Sequence, residues 1–178
     1  MTLTKIPTAE QIKRLPKALI HDHLDGGLRP ETIIALAEKI GYKKLPTNDP
    51  EKLADWFQES CDSGSLVRYL ETFAHTIAVM QTRDGIIQVA RECAIDLARD
   101  GVVYAEVRGA PELFTEAGLT LNQVVEATTA GYKEGMAEAK REGNTIRVES
   151  ILCGMRQNNR SQETAEAVVK YRDQGVVG

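Results

Sequence analysis

The sequence is poor in the features that most often staple, anchor or export a small protein. Its three cysteines, Cys61, Cys93 and Cys153, are odd in number, far apart and without a CxxC pair, which argues against a disulfide framework and a thiolate metal site. No apolar run reaches the length of a bilayer span, and Met1-Thr2-Leu3-Thr4-Lys5 lacks the apolar core of a secretory leader. A reducing cytoplasm is the expected compartment. Basic residues number 22 against 26 acidic ones, a net charge of −4, so nothing electrostatic predicts nucleic acid or an anionic membrane as partner. Histidine is equally scarce, at three, yet two of the three are separated by a single residue.

That pair lies in Ala18-Leu19-Ile20-His21-Asp22-His23-Leu24-Asp25-Gly26-Gly27. An apolar run that turns polar and then meets two glycines reads as a buried β-strand, about Lys17 to Leu24, followed by a sharp bend. Residues i and i+2 of a strand point to one face, so His21 and His23 present two imidazoles side by side. Neutral imidazole nitrogens are good ligands for zinc and neighbouring metals. A structural, hydrogen-bonded histidine pair is the alternative. The position favours chemistry, because in parallel α/β architectures functional groups collect where strands end and loops begin. Asp25 adds an anion there, and Gly26 and Gly27 suit both a turn and close approach of a ligand.

Downstream, Pro30 suits the first turn of a helix whose apolar positions are Ile33, Leu36, Ala37 and Ile40 and which Gly41 ends. Asn48-Asp49-Pro50 opens a short helix bearing Leu53, Trp56 and Phe57. Ser65 caps a helix with the stripe Leu66, Tyr69, Leu70, Phe73, Ile77 and Met80, and Thr82 or Asp84 opens another that Gly101 closes. The period changes to that of a strand over Val102 to Arg108. Thr120 and Gln123 then mark the start of a helix to about Arg141, and Ile146 to Cys153 reads as the third strand. Ser161 caps a helix to about Asp173, after which Val176-Val177-Gly178 opens a further apolar segment. Strand–helix alternation predicts an α/β fold with a parallel sheet and helical crossovers. Residues 41–101 form a helical insertion in the first crossover.

Leu15-Pro16-Lys17, His21-Asp22-His23-Leu24-Asp25-Gly26 and Arg29-Pro30-Glu31-Thr32 together resemble the amino-terminal signature of the adenosine deaminase family. The likeness continues through Leu66 to Gln81, Gly101 to Arg108 and Ser150 to Arg156, in order across nearly the whole chain. Asp22 departs from it, since many members carry an apolar residue there. The resemblance implies a zinc-dependent (β/α)8 barrel that hydrolyses adenosine, a purine nucleoside, to inosine and ammonia. In such an enzyme metal-activated water attacks C6 of the base, a glutamate protonates the ring and ammonia leaves. Also implied are His21 and His23 as metal ligands, and Asp25 on a ribose hydroxyl with Gly26 beside the substrate. An apolar gate maps to Leu66, Tyr69, Leu70 and Phe73, of which at least half is expected to be ordinary helix–core packing.

A closed barrel of this kind takes about 250 residues, whereas three strands and the start of a fourth are legible here. Residues 1–178 are therefore expected to form an incomplete TIM barrel, the amino-terminal portion of a single domain. The family's mid-barrel histidine, late aspartate and acid glutamate have no counterpart in this sequence, and His75, on a helix, reads as structural or exposed. No catalytic residue of the family is present, and the chain is expected to be inactive alone. Open edges at the first and incipient fourth strands predict self-association. Charged side chains on one face of the middle strands predict a Glu106–Arg147 cross-strand pair. Two other functions compete. One is another metal-dependent amidohydrolase, since a strand-one His-x-His recurs in that wider group; the other is a non-catalytic binding or assembly module.

Overall fold

The computed structural model describes residues 6–178. The polar segment before Pro16 holds a short helix that its pattern did not predict, α1 (Ala9–Arg14), started by a reciprocal Thr8–Gln11 capping box. Three strands, β1 (Lys17–His23), β2 (Val102–Gly109) and β3 (Arg147–Leu152), pair in parallel in that order. Four helices fill the first crossover: α2 (Pro30–Ile40), α3 (Pro50–Cys61), α4 (Leu66–Val79) and α5 (Arg83–Arg99). The second crossover carries α6 (Leu121–Arg141), and α7 (Ser161–Tyr171) follows β3. Among the described residues no helix is long and apolar enough to cross a membrane.

Helix ends follow local chemistry. Asp49, Ser65, Thr82 and Thr120 each accept a backbone N–H three residues on. Gly41 ends α2 in the left-handed conformation, at φ 72°. Ser161 is the first helical residue rather than the cap; Arg160 holds the cap position without a side-chain bond. After α7 a 3₁₀ turn, Arg172–Gln174, leads to Val176, which pairs in parallel with Ser150 as the expected start of a fourth strand.

The core lies between the sheet and its helices, where Ala105, Val107 and Val148 meet α5 and α6. The backbones of α5 and α6 approach so closely that a Cβ added at Gly131 would sit 2.5 Å from the Ile87 carbonyl oxygen. His75 is structural: its Nδ1 lies 2.9 Å from the Tyr42 hydroxyl and its ring packs on Trp56, tying α4 to the segments after α2 and within α3.

One irregularity decides where β1 points its polar end. Leu19 pairs with Ala105 and Asp22 with Val107, three residues against two, which is a β-bulge. Leu19 packs on the helix-side core. Strict alternation from Leu19 would send His21 and His23 into that same layer. The bulge reverses the parity, so both histidines emerge exposed on the opposite face while Asp22 turns toward Cys93 of α5.

The charges on that open face correct one expectation. In register, Glu106 stands opposite Glu149, and Tyr104 opposite Arg147. Tyr104 donates its hydroxyl to Glu106 at 2.7 Å, and Arg147 pairs with Glu149 on its own strand. The expected Glu106–Arg147 bridge does not form, because a partner two residues away on the same face is already in reach.

Candidate functional site

At the carboxyl end of β1 the chain enters a 3₁₀ turn, Leu24–Gly26. The turn carries Asp25 inward, to 6% exposure. Its Oδ1 is buried without a hydrogen-bond partner and lies 3.9 Å from His23 Nδ1. Burial raises the Asp25 carboxyl above its ordinary range, opposed by its own backbone N–H and by the charge of His23. A buried acceptor left unpaired is costly, and such exceptions ask for an explanation. Gly26 and Gly27 are both outside the positive-φ region, so the bend itself does not demand glycine. A Cβ at Gly26 would meet His23 Cβ at 3.5 Å, an ordinary contact.

The rings of His21 and His23 share one face, with centroids 5.3 Å apart and planes tilted by 44°. Two exposed imidazoles so placed suit a common zinc-like ion chemically, but catalytic zinc takes three protein ligands or more. Among the described residues no group of three or more His, Cys, Asp or Glu side chains is placed to hold a metal. The donors fit one corner of a metal site.

His23 and Asp25 open onto a cavity of about 390 Å³ whose apolar wall includes Tyr69, Leu70 and Phe73 of α4. Tyr69 and Phe73 stack edge to face, with centroids 5.4 Å apart. Core packing is not what these residues do. The buried positions of α4 are Thr72, Thr76 and Val79, while Leu66 is 69% and Leu70 54% exposed. The amino-terminal part of the stripe, Leu66, Tyr69, Leu70 and Phe73, faces the cavity and solvent, while its last members, Ile77 and Met80, pack with the core. Leu66 is absent from the cavity wall.

Two groups at the site were not assigned there from sequence. Arg108 of β2 places Nη1 3.0 Å from His21 Nε2 and 3.3 Å from Nδ1, and its Nε donates to Cys153 Sγ at 3.2 Å. The only signal was its place on the Glu106 face at a strand end; its partners depend on inter-strand register. Glu112, buried in the 3₁₀ turn Pro111–Phe114, accepts from the Met155 backbone N–H at 2.5 Å and from Asn158 Nδ2 at 2.9 Å. It thereby pins the loop whose Cys153 and Met155 line the cavity. No pattern in the sequence marks that contact.

Parallel strands with helical crossovers make this a parallel α/β fold, and its candidate polar groups gather at the strands' carboxyl ends, where (β/α)8 barrels carry their sites. The family follows from comparison. A family profile described as Adenosine deaminase matches residues 16–178, and the chain belongs to the adenosine deaminase family. It is 57% identical over 176 residues to Adenosine deaminase 1 of Streptomyces coelicolor, covering 99% of this chain and 44% of that protein. It is 55% identical over 171 residues to Adenosine deaminase of Mycolicibacterium gilvum, covering 96% and 47%. Among solved structures, Arabidopsis ADAL complexed with GMP superposes with a TM-score of 0.76 at 26% identity, covering 95% of this chain and 50% of that one. The chain thus spans about half the length of the curated relatives it matches.

Proposed function

We propose that this chain carries the metal-ligating and nucleoside-binding corner of an adenosine deaminase, as the amino-terminal portion of a single barrel domain acting in the cytoplasm. The reaction is hydrolysis of adenosine to inosine and ammonia. His21 and His23 hold zinc, Asp25 accepts from a ribose hydroxyl with Gly26 alongside, and Tyr69, Leu70 and Phe73 gate the apolar side of the substrate space. One observation carries the reading: two imidazoles emerge on one open face beside a buried carboxylate whose Oδ1 lacks a partner. Zinc, when bound, would supply the Lewis acidity that makes a water nucleophilic near neutral pH. The chain's own residues orient and enclose. A ribose donor satisfies the orphan oxygen of Asp25, and the aromatic wall excludes water from the purine. A general acid is not among these residues, so deamination by this chain alone is not expected. The open edges of the sheet favour association with another chain.

Zinc stoichiometry and adenosine binding, measured by calorimetry on the wild type, His21→Ala, His23→Ala and Asp25→Asn, test the assignment. Either histidine change is expected to abolish zinc uptake, and Asp25→Asn to weaken adenosine while zinc is retained. Zinc uptake indifferent to both histidines would refute it. The solved relative complexed with GMP makes a purine nucleotide the natural competitor in the same titration, and tighter binding of GMP would move the substrate from nucleoside to nucleotide.

A further inference from the structure

We propose that Arg29 and Thr32, gripping Asp96 and Glu92 of α5, clamp the far end of the turn that carries Asp25 and so act as positioning residues for the nucleoside contact. The inference rests on the assignment of Asp25 to a ribose hydroxyl. Arg29 forks onto Asp96, with Nε donating to Oδ2 at 2.8 Å and Nη2 to Oδ1 at 2.6 Å. One helical turn on, the buried Thr32 hydroxyl donates to Glu92 Oε2 at 2.6 Å. The other Glu92 oxygen accepts from Gln88 Nε2 at 3.1 Å and lies 4.0 Å from Arg29 Nη1. Glu92 and Asp96 are spaced i, i+4 on α5 and so share one face of it.

The clamped turn has a reason to move. Asp25 is buried with Oδ1 unpaired, a costly state beside a carboxylate in water. Gly26 and Gly27, which join it to the clamped segment, have the freest backbone of any residue type. At its near end the turn is fixed by the pairing of His23 with Arg108 and by Leu24 in the core. The helix beyond is seated without polar help, since Ile33, Leu36 and Ala37 are buried in that core. The grips lie instead on the cap residue and in the first turn of α2. An isolated, partly exposed ion pair holds little, but this one is bidentate, the strong geometry, and has a buried hydroxyl–carboxylate bond beside it. With both ends fixed, Asp25 cannot swing out to water, and it stays at the wall of the cavity.

Amide order parameters from NMR relaxation, with adenosine and zinc titrations by calorimetry, test the clamp in the wild type, Arg29→Met, Arg29→Lys, Asp25→Asn and the Asp25→Asn/Arg29→Met double variant. Arg29→Met removes charge and donors, and is expected to lower the order parameters of Gly26 and Gly27 while those of Leu36 and Ala37 stay unchanged. It should weaken adenosine about tenfold, the scale of one charge-assisted hydrogen bond, and retain zinc uptake, because His21 and His23 precede the turn on β1. Arg29→Lys, which keeps the charge but not the fork, is expected to fall between Arg29→Met and wild type. Because the arginine acts through Asp25, Arg29→Met should add nothing to the loss already present in Asp25→Asn. Unchanged order at the two glycines overturns the proposal, as does unchanged adenosine affinity in Arg29→Met where Asp25→Asn weakens it, or a loss that adds in full in the double variant. Disorder spreading along α2 together with loss of zinc also overturns it, as the mark of a merely structural pair. If Asp25→Asn leaves adenosine binding unaltered, the ribose assignment has failed, and the order parameters alone decide the clamp.

Discussion

Glu106 and Glu149 face each other across the β2–β3 ladder, and each is compensated from within its own strand, by the Tyr104 hydroxyl and by Arg147. Like charges directly opposite destabilise a sheet unless they are so held. A double-mutant cycle on Glu106 and Arg147 is expected to show coupling near zero, while the Arg147–Glu149 cycle shows a clear favourable term, both read from urea midpoints. Coupling concentrated in the cross-strand pair would contradict this arrangement.

Gly131 lies against the α5 backbone, where an added Cβ would meet the Ile87 carbonyl oxygen at 2.5 Å and Ala90 Cβ at 2.7 Å. Backbone cannot step aside as a flexible side chain can. Gly131→Ala should lose about 1–3 kcal/mol to overpacking, more than the roughly 1 kcal/mol that alanine gains in helix propensity. Denaturant unfolding checks the sign, and a stabilised variant would show that the helices separate without cost.

Glu112 joins the turn after β2 to the loop after β3 through the Met155 N–H and the Asn158 amide. Glu112→Ala leaves those donors without their acceptor and should destabilise by roughly 1–3 kcal/mol. Hydrogen exchange should accelerate over residues 153–158 first, with Glu112→Gln intermediate. Unchanged exchange in that loop would mean that Glu112 does not hold it.

His75 is partly buried, and desolvation holds its pKa below the ordinary 6.5. Its folded-state value is depressed, so folding favours the neutral ring. That contribution is complete above 6.5 and is lost as pH falls through the folded-state value. Between about pH 7 and about pH 5 the wild type should therefore lose more stability than His75→Gln. Parallel pH slopes in thermal melts would remove His75 from the account.

Among the described residues no strand pairs with the outer edge of β1, and Ile20 on the open face is 67% exposed. Unpaired strand edges recruit other chains. Light scattering over a wide concentration range is expected to show association, and Ile20→Lys to reduce it. A monomer throughout would count against the edge as a contact surface.

What the sequence determined by itself is local. Caps at Ser65 and Thr120, helix starts at Asn48-Asp49-Pro50 and at Thr82 or Asp84, the Gly41 terminus, the change of period at Val102 and the His-x-His at the end of the first strand are all legible, because each depends on residues within one or two turns. The parallel class follows from their alternation, and Asp25 was visible as an anion beside the histidines. What the tertiary structure decided is non-local. Alternation alone would send His21 and His23 to the face that Leu19 buries, and only the bulge against β2 brings them out. Register sets Glu149 rather than Arg147 opposite Glu106, and brings Arg108 onto His21. At least half of Leu66, Tyr69, Leu70 and Phe73 was expected to pack in the core, yet the fold leaves Tyr69, Leu70 and Phe73 on a cavity wall and buries the stripe's other end at Met80. Pairing and register are chosen by contacts among segments distant in sequence, so residue types could announce the imidazoles without fixing which way they point or which cation meets them.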